Sequence, residues 1–317
     1  MDAARAGPSD PEDSHWLLFC IYLFTFLVGL PLNLTALVIF VARLRQRPAA
    51  VDILLLNLTL SDLLLLLFLP FRMVEAASGL RWPLPPFLCP LSFFLFFTTI
   101  YLSTLFLSAV SVERLLGAAH PVWYRTRRRS GQAVAVSALC WLLAGSHCSV
   151  VYITEFAAGA FSGANETCYM HFRQEQLTVL LPVRLEMAVV LFGLPLAISG
   201  FCYARLVWIL SRGPCRRRTR KRVTGLVVAT MLNFLVCFGP YNASHVVGYV
   251  QWASPTWRNY AFQLSTLNTC VDPLVFYFSS AGFQTSCRDL LARMRSRWCP
   301  RRGESSHGEG TGEGPRQ

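Results

Sequence analysis

Charged residues are scarce in this sequence, and lysine occurs only once, at Lys221. Charged side chains make up 15% of the 317 residues, whereas 54% of the residues are hydrophobic. The mean hydropathy is +0.43, and an ordinary soluble domain contains about 25% charged residues. This shortage excludes a chain whose whole surface faces water, and it indicates an integral membrane protein.

The sequence also lacks the residue patterns of an enzyme. It contains no His or Cys set with the spacing of metal ligands, no phosphate-binding loop, and no Ser, His and Asp arrangement on one water-facing side. Internal repeats and paired broken helices, which many transporters contain, are absent from the sequence as well. We therefore expect no enzyme, and a transporter is the weaker alternative of another class.

Seven hydrophobic runs are long enough to cross a bilayer, whose core of roughly 30 Å needs about 20 helical residues. Charge, proline or glycine bounds each run. The predicted spans are residues 16–42, 51–75, 87–113, 132–154, 180–210, 223–250 and 258–280. The predicted fold is an all-α membrane protein with a bundle of seven transmembrane helices over residues 16–280.

Basic residues orient these spans, because short basic loops stay in the cytoplasm. Such residues follow the first, third, fifth and seventh spans, at 43–47, 114–129, 205–222 and 288–302. The amino-terminal segment, residues 1–15, is therefore predicted to be extracellular in a multi-pass protein of the plasma membrane. The basic runs are interpreted as a topology signal, and no nucleic-acid partner is expected.

The chain after the last span divides into two parts. Residues 281–298 place apolar side chains at helical spacing among arginines, which predicts an amphipathic helix on the inner membrane surface in contact with lipids. Residues 299–317 are rich in Gly, Glu and Ser and are predicted to be a disordered cytoplasmic tail. Cys287 and Cys299 are candidate palmitoylation sites, with a free thiol as the alternative.

Two of the eleven cysteines lie where the topology favours a disulfide. Cys89 opens the third span at its outer end, and Cys168 lies in the outer loop before the fifth span, in an oxidising compartment. The same loop contains Asn165, which is the candidate glycosylation site because the other matches to the acceptor motif lie within spans.

Two carboxylates lie inside predicted spans, where ionisable residues are costly and usually functional. Asp62 is in the second span and Asp272 in the seventh. If they approach each other, either one is protonated or a cation lies between them. We favour a sodium ion held together with Ser103 and Asn268, and separate hydrogen bonding of the two carboxylates is the alternative.

The third span ends in an acid and base pair, and four prolines interrupt the second, fifth, sixth and seventh spans. Glu113 and Arg114 can be desolvated together near the cytoplasmic interface, and such a pair can hold one conformation closed. Proline within a helix removes a backbone hydrogen bond and bends the helix. The four prolines are Pro70, Pro195, Pro240 and Pro273.

These features occur together in an order that resembles the rhodopsin-like G-protein-coupled receptors. The matching sites are Gly29 to Asn33, Leu56 to Asp62, Cys89, Glu113 to Leu115, Trp141, Pro195, Cys237 to Pro240 and Asp272 to Phe276. The resemblance implies that Glu113, Arg114, Phe238, Pro240, Asp272 and Pro273 form an activation switch. It also implies a heterotrimeric G protein and arrestin as partners.

Some residues depart from the usual pattern of that class. Leu115 stands where Tyr is usual, Phe238 where Trp is common, and Phe276 where Tyr is usual. Because the seventh span has no lysine, a retinal Schiff base is excluded, and the third span offers no acid for a cationic amine in residues 93–99.

The outer halves of the spans instead contain basic and proton-carrying groups. Arg184, Arg258, His245 and His147 lie there, and Tyr101 and Tyr241 lie at depths from which their hydroxyls can join them. The guanidinium fork matches a carboxylate through two hydrogen bonds, so this set predicts an anionic ligand. The alternatives are arginines that extend to the interface and histidines that only bridge helices.

Local motifs resemble the free fatty acid receptor family, and within it the short-chain subgroup. They are Gly145 to Ser149, Leu181 to Glu186, Phe238 to His245 and Pro255 to Arg258. The resemblance implies that Arg184, Arg258, His147 and His245 recognise the carboxylate. The family often has a Glu shortly after the loop cysteine, whereas this sequence has His171.

The resulting hypothesis is a receptor for carboxylic acids of about two to six carbons, with affinity no better than roughly micromolar because so few atoms make contact. Inhibitory G proteins are expected from the resemblance. Longer fatty acids or hydroxy acids are the alternative ligands, and a carboxylate transporter is the alternative function.

Overall fold

The computed structural model of the chain describes residues 11–46, 48–126, 130–157, 168, 174–212, 217–279 and 281–298, and nearly all of these residues are helical. The first three spans are single helices, and a short helix precedes the fourth. These helices are α1 (Pro11–Gln46), α2 (Ala50–Ala77), α3 (Leu88–Ala119), α4 (Pro121–Thr126) and α5 (Ser130–Ala157).

The last three spans are each interrupted. The fifth consists of α6 (Gln174–Met187), a π-helical turn (Ala188–Gly193) and α7 (Leu194–Arg212). The sixth consists of α8 (Arg217–Leu232), a second π-helical turn (Asn233–Phe238) and α9 (Gly239–Gln251). The seventh consists of α10 (Arg258–Thr266) and α11 (Asn268–Ser279), and α12 (Ala281–Trp298) follows it.

Six helical stretches of the described chain are long and apolar enough to cross a membrane. The seventh predicted span is divided by a turn at Leu267, so its parts contain only 9 and 12 residues. The two parts follow each other over residues 258–279, as the sequence predicts. The interruption is a tight turn, because the Leu267 N–H donates to the Leu264 carbonyl at 3.2 Å and the Cys270 N–H to the Leu267 carbonyl at 3.0 Å.

The distribution of side chains fits a bilayer. Large apolar side chains point outward, as in Leu67 (67% exposed) and Leu142 (71%). Polar residues such as Asn33 and Asn268 are buried between the helices. Lipid tails accept exposed leucine, and polar side chains join helices inside a bundle.

Polar contacts join neighbouring spans at the sites that resemble the receptor class. Asn33 donates to the carbonyls of Gly29 (3.0 Å) and Thr269 (2.9 Å), which ties the first span to the seventh. The Trp141 indole donates to the Asn57 side-chain oxygen at 3.0 Å and ties the fourth span to the second. These contacts give the sequence motifs a packing role.

The π-helical turns lie directly before the prolines of the fifth and sixth spans. Pro195 has no N–H to donate to Leu191, four residues earlier, and the Leu191 carbonyl accepts from the Thr104 hydroxyl of the third span at 2.6 Å. In the sixth span the Cys237 carbonyl accepts from the Ser265 hydroxyl of the seventh at 3.1 Å. Side chains of neighbouring spans thus satisfy the irregular backbone.

The predicted helix after the last span is present as α12, with the bounds expected from the sequence. Phe283 of α12 is buried and packs its ring against Phe40 at 5.1 Å and Phe276 at 6.3 Å between ring centroids. Phe276 therefore replaces the usual Tyr within an aromatic cluster. The placement of α12 on the inner membrane surface stays a prediction, and Cys299 and the tail lie outside the described residues.

Candidate functional site

Two arginines and one histidine of the predicted anion site come together near the outer end of the bundle. Arg184, in α6, and Arg258, at the start of α10, are each 5% exposed, and His245 of α9 is 2% exposed. Both guanidinium groups act electrostatically on the His245 imidazole. The imidazole Nδ1 is buried and has no hydrogen-bond partner among the residues that the structure describes.

Aromatic residues form the wall beside these basic groups. The Tyr241 ring packs edge-on against His245, with centroids 4.4 Å apart, and stacks on Phe97 at 5.8 Å. Tyr101 is fully buried and its hydroxyl donates to the Asn242 side-chain oxygen at 3.4 Å. Tyr101 also interacts electrostatically with Arg184. The two predicted tyrosines therefore lie next to the basic cluster.

His147 is placed differently from the other basic residues. Its Nε2 lies 3.0 Å from a carboxylate oxygen of Glu186, and its Nδ1 lies 2.8 Å from the Leu143 carbonyl oxygen. The imidazole is thus held between the fourth and fifth spans, and Glu186, two residues after Arg184, connects it to the cluster. Sequence reasoning missed the role of Glu186, although an acid within a span is itself a functional signal.

A second buried ion pair, also missed by sequence reasoning, lies beside the cluster. Arg72 Nη1 is 2.5 Å from Glu75 Oε2, and the two side chains are 8% and 3% exposed. The Arg72 guanidinium lies over the Phe93 ring at 4.2 Å from its centroid, and the Cys168 N–H donates to Glu75. Both residues were visible in the sequence as charges within the second span.

The Cys168 contact exists because the outer loop is covalently attached to the third span. The structure contains the predicted disulfide between Cys89 and Cys168. Asn165 and His171 lie outside the described residues, and glycosylation of Asn165 stays a prediction.

The four residues of the sodium hypothesis also meet. The Asn268 amide donates to the Ser103 hydroxyl at 3.1 Å and to the Asp272 carboxylate at 3.4 Å. Asp62 is in contact with Asp272 and has one buried carboxylate oxygen without a partner. Asn233, which the sequence reasoning did not include, also donates to Asp272. Oxygen ligands and an orphaned carboxylate atom fit a hard cation.

The described residues contain no group of three or more His, Cys, Asp or Glu side chains arranged to hold a metal. The candidate cation site therefore depends on two carboxylates supplemented by Ser103 and Asn268.

At the inner end, Arg114 joins the third span to the seventh. Its Nε and Nη2 donate to the Ser279 hydroxyl at 3.2 and 2.8 Å. Tyr203 and Thr230 share a hydrogen bond of 3.0 Å between the fifth and sixth spans. Phe238 is buried and packs on Phe234 with centroids 6.3 Å apart, directly before Pro240. These contacts lie in the segments that the sequence assigns to the switch. The same segments contain Glu113, Asp272 and Pro273.

Comparison with known proteins identifies the family to which this chain belongs. The family model "7 transmembrane receptor (rhodopsin family)" matches residues 32–276. Free fatty acid receptor 3 of Homo sapiens is 65% identical over 295 residues, which cover 92% of this chain and 85% of that protein. G-protein coupled receptor 42 of Homo sapiens is 66% identical over 295 residues, which likewise cover 92% of this chain and 85% of that protein.

A more distant relative shows the same subgroup preference. Free fatty acid receptor 2 of Mus musculus is 51% identical over 276 residues, which cover 86% of this chain and 84% of that protein. The resemblance to the short-chain subgroup is confirmed, as is the expectation of a receptor rather than an enzyme, and the identity is higher to receptor 3 than to receptor 2. The chain is a multi-pass membrane protein of the rhodopsin family of seven-transmembrane receptors and a close homologue of free fatty acid receptor 3.

Proposed function

We propose that this chain is a plasma-membrane receptor that short-chain carboxylic acids of about two to six carbons activate. The observation that carries the proposal is the buried set of Arg184, Arg258 and His245. Both guanidinium groups act on the same imidazole, and a carboxylate between them can accept hydrogen bonds from guanidinium groups at both of its oxygens. The unpartnered Nδ1 of His245 offers a further polar contact.

The aromatic wall supports a small ligand. Tyr241, Phe97 and their neighbours pack closely beside the basic cluster. Each buried methylene contributes about 0.8 kcal/mol, whereas the carboxylate contacts are common to all acids. Recognition is therefore dominated by the charged end, and potency in the micromolar range or weaker is expected for an acid with so few atoms.

Activation is proposed to be a shift between two populations of the bundle. The carboxylate binds better when Arg184 and Arg258 converge on it, and this differential affinity favours a rearranged fifth, sixth and seventh span. The π-helical turn and Pro240 give the sixth span a place to bend. Its inner end then moves away from Arg114 and opens a surface for a G protein of the inhibitory class, and afterwards for arrestin.

The experiment that tests this proposal is a G-protein activation assay with straight-chain acids of about two to about twelve carbons. We expect responses that are confined to the short acids and are coupled to a fall in cyclic AMP. Vesicle uptake of labelled propionate is measured in parallel. Uptake without G-protein activation would contradict the receptor function, and a maximum at long chains would contradict the ligand class.

A further inference from the structure

A small cavity adjoins the candidate carboxylate site on the side of the first and second spans. Its volume is about 30 Å³, which is space for roughly one water molecule or one methylene group. Arg258 and Tyr241 belong both to this cavity and to the basic cluster around His245. A ligand whose carboxylate binds the arginines can therefore extend its tail into the cavity.

The sides of the cavity are aromatic and suit an alkyl chain. Phe93, Phe97 and Phe262 line it, and their ring centroids lie 5.4 to 5.9 Å apart. Apolar walls that are already packed give a tail a fixed route with little room beside it. The remaining lining includes the polar residues Asn259 and Gln263 and one ion pair.

The Arg72 and Glu75 ion pair forms one wall of this cavity. The pair is fixed from several directions, because Phe93 lies under the guanidinium, Tyr22 interacts electrostatically with Arg72, and the Cys168 N–H donates to Glu75. Both charged side chains are more than nine-tenths buried. An alkyl tail that reaches this wall cannot pass without separating the two charges.

The changes in affinity that are expected at this wall disfavour a longer alkyl tail. One more buried methylene increases affinity about fourfold. Separating a buried ion pair and leaving its charges uncompensated costs about a hundredfold or more. Three further methylenes would not offset that loss, so the wall ends the gain in affinity with chain length abruptly.

We propose that the Arg72 and Glu75 ion pair is the end wall of a tail subsite and sets the upper chain length of the acids that this receptor accepts. The inference rests on the proposed function, and it names two specificity-determining residues that do not bind the carboxylate.

The test replaces the wall with apolar side chains of similar size in the double variant Arg72→Met/Glu75→Leu, because such exchanges of a buried pair are often tolerated. G-protein activation is measured against acids of increasing length, with surface expression measured on the same cells. We expect the potency of acids beyond the wild-type limit to rise about fourfold per added methylene. Propionate potency should change by less than about threefold, since its tail does not reach the wall.

The control is a different ion pair, Arg43 and Asp52, which joins the inner ends of the first two helices at 2.8 Å. The variant Arg43→Met/Asp52→Leu should keep the wild-type dependence on chain length. A second test variant acts in the opposite direction. Ala76→Val places two more carbon atoms into the cavity that Ala76 lines. It should lower the potency of the longest accepted acid first.

The outcomes separate the two proposals. If the wild-type receptor responds to short acids but the double variant at the surface keeps the wild-type limit, the end wall is wrong. If the double variant does not reach the surface, Ala76→Val decides, and an equal loss of potency for all acids would overturn the subsite. If no acid activates a G protein through the wild-type receptor, the proposed function itself is wrong, and the tail subsite is wrong with it.

Discussion

The guanidinium groups of Arg184 and Arg258 are the side chains on which anion recognition depends. Replacing either one with Ala should strongly weaken the response to short carboxylates while surface expression persists, because one arginine alone loses half of the contacts to the carboxylate. Loss of a charge-assisted hydrogen-bonded contact costs about 1.5–3 kcal/mol, which lowers potency by roughly tenfold to a hundredfold. Potency in the G-protein assay measures the effect.

Two further variants distinguish the geometry of the fork from its charge. Arg184→Lys should restore little of the response, since lysine keeps the charge but not the paired donors. Arg81→Ala, at an exposed arginine in the turn after the second span, should leave potency unchanged. Wild-type potency in both alanine variants of the cluster would refute the anion site.

Single residues were predicted from the sequence where a motif or a rare charge marked them. Arg184, Arg258 and His245 meet as expected, whereas His147 contacts Glu186 and Leu143. Such pairings depend on the rotation of each helix about its own axis, which a single sequence does not fix.

Hydrogen bonds between neighbouring helices determine where the bent elements are held. The Thr104 hydroxyl donates to the Leu191 carbonyl that Pro195 leaves without its usual partner. Thr104→Val keeps the shape but leaves a buried carbonyl unsatisfied, which costs about 1–3 kcal/mol. We expect the purified receptor to unfold at a lower temperature and the fifth span to lose its fixed position.

A buried threonine within one helix provides the control. The Thr59 hydroxyl donates to the Leu55 carbonyl of its own helix at 2.9 Å and is fully buried. Thr59→Val should lower the unfolding temperature less, because the Leu55 carbonyl keeps its backbone hydrogen bond. Equal losses in the two variants would mean that the contact between the third and fifth spans has no special role.

The spans themselves were predictable because their length and hydropathy are imposed by the bilayer. The prolines predicted bends, but the π-helical turns at Ala188–Gly193 and Asn233–Phe238 were not foreseen. They depend on hydroxyl groups supplied by other spans, and the break at Leu267 likewise depends on packing rather than on a helix-breaking residue.

The bundle as a whole should respond to sodium if the ion binds at Asp62, Ser103, Asn268 and Asp272. An ion that prefers one conformation must shift the equilibrium toward it, and the coupling to the other ligand is reciprocal. Raising sodium at constant ionic strength, balanced with potassium, should therefore weaken agonist binding. Asp62→Asn should remove most of this sensitivity in a radioligand displacement assay.

Constant ionic strength is the essential control, because the contact of a carboxylate with Arg184 and Arg258 is itself screened by salt. Equal effects of sodium and potassium on the unmodified receptor would mean that ionic screening alone weakens agonist binding. The two carboxylates would then be explained by a shared proton.

The single lysine has a practical consequence for watching the molecule move. Lys221 is exposed in α8, at the inner end of the sixth span, and the amino-terminal segment is predicted to lie on the opposite, outer side. An amine-reactive fluorophore or fluorine label applied from the inner side would thus modify one position, in the helix that activation is proposed to displace. Its spectrum should divide between two environments whose ratio changes with propionate, without any cysteine being engineered.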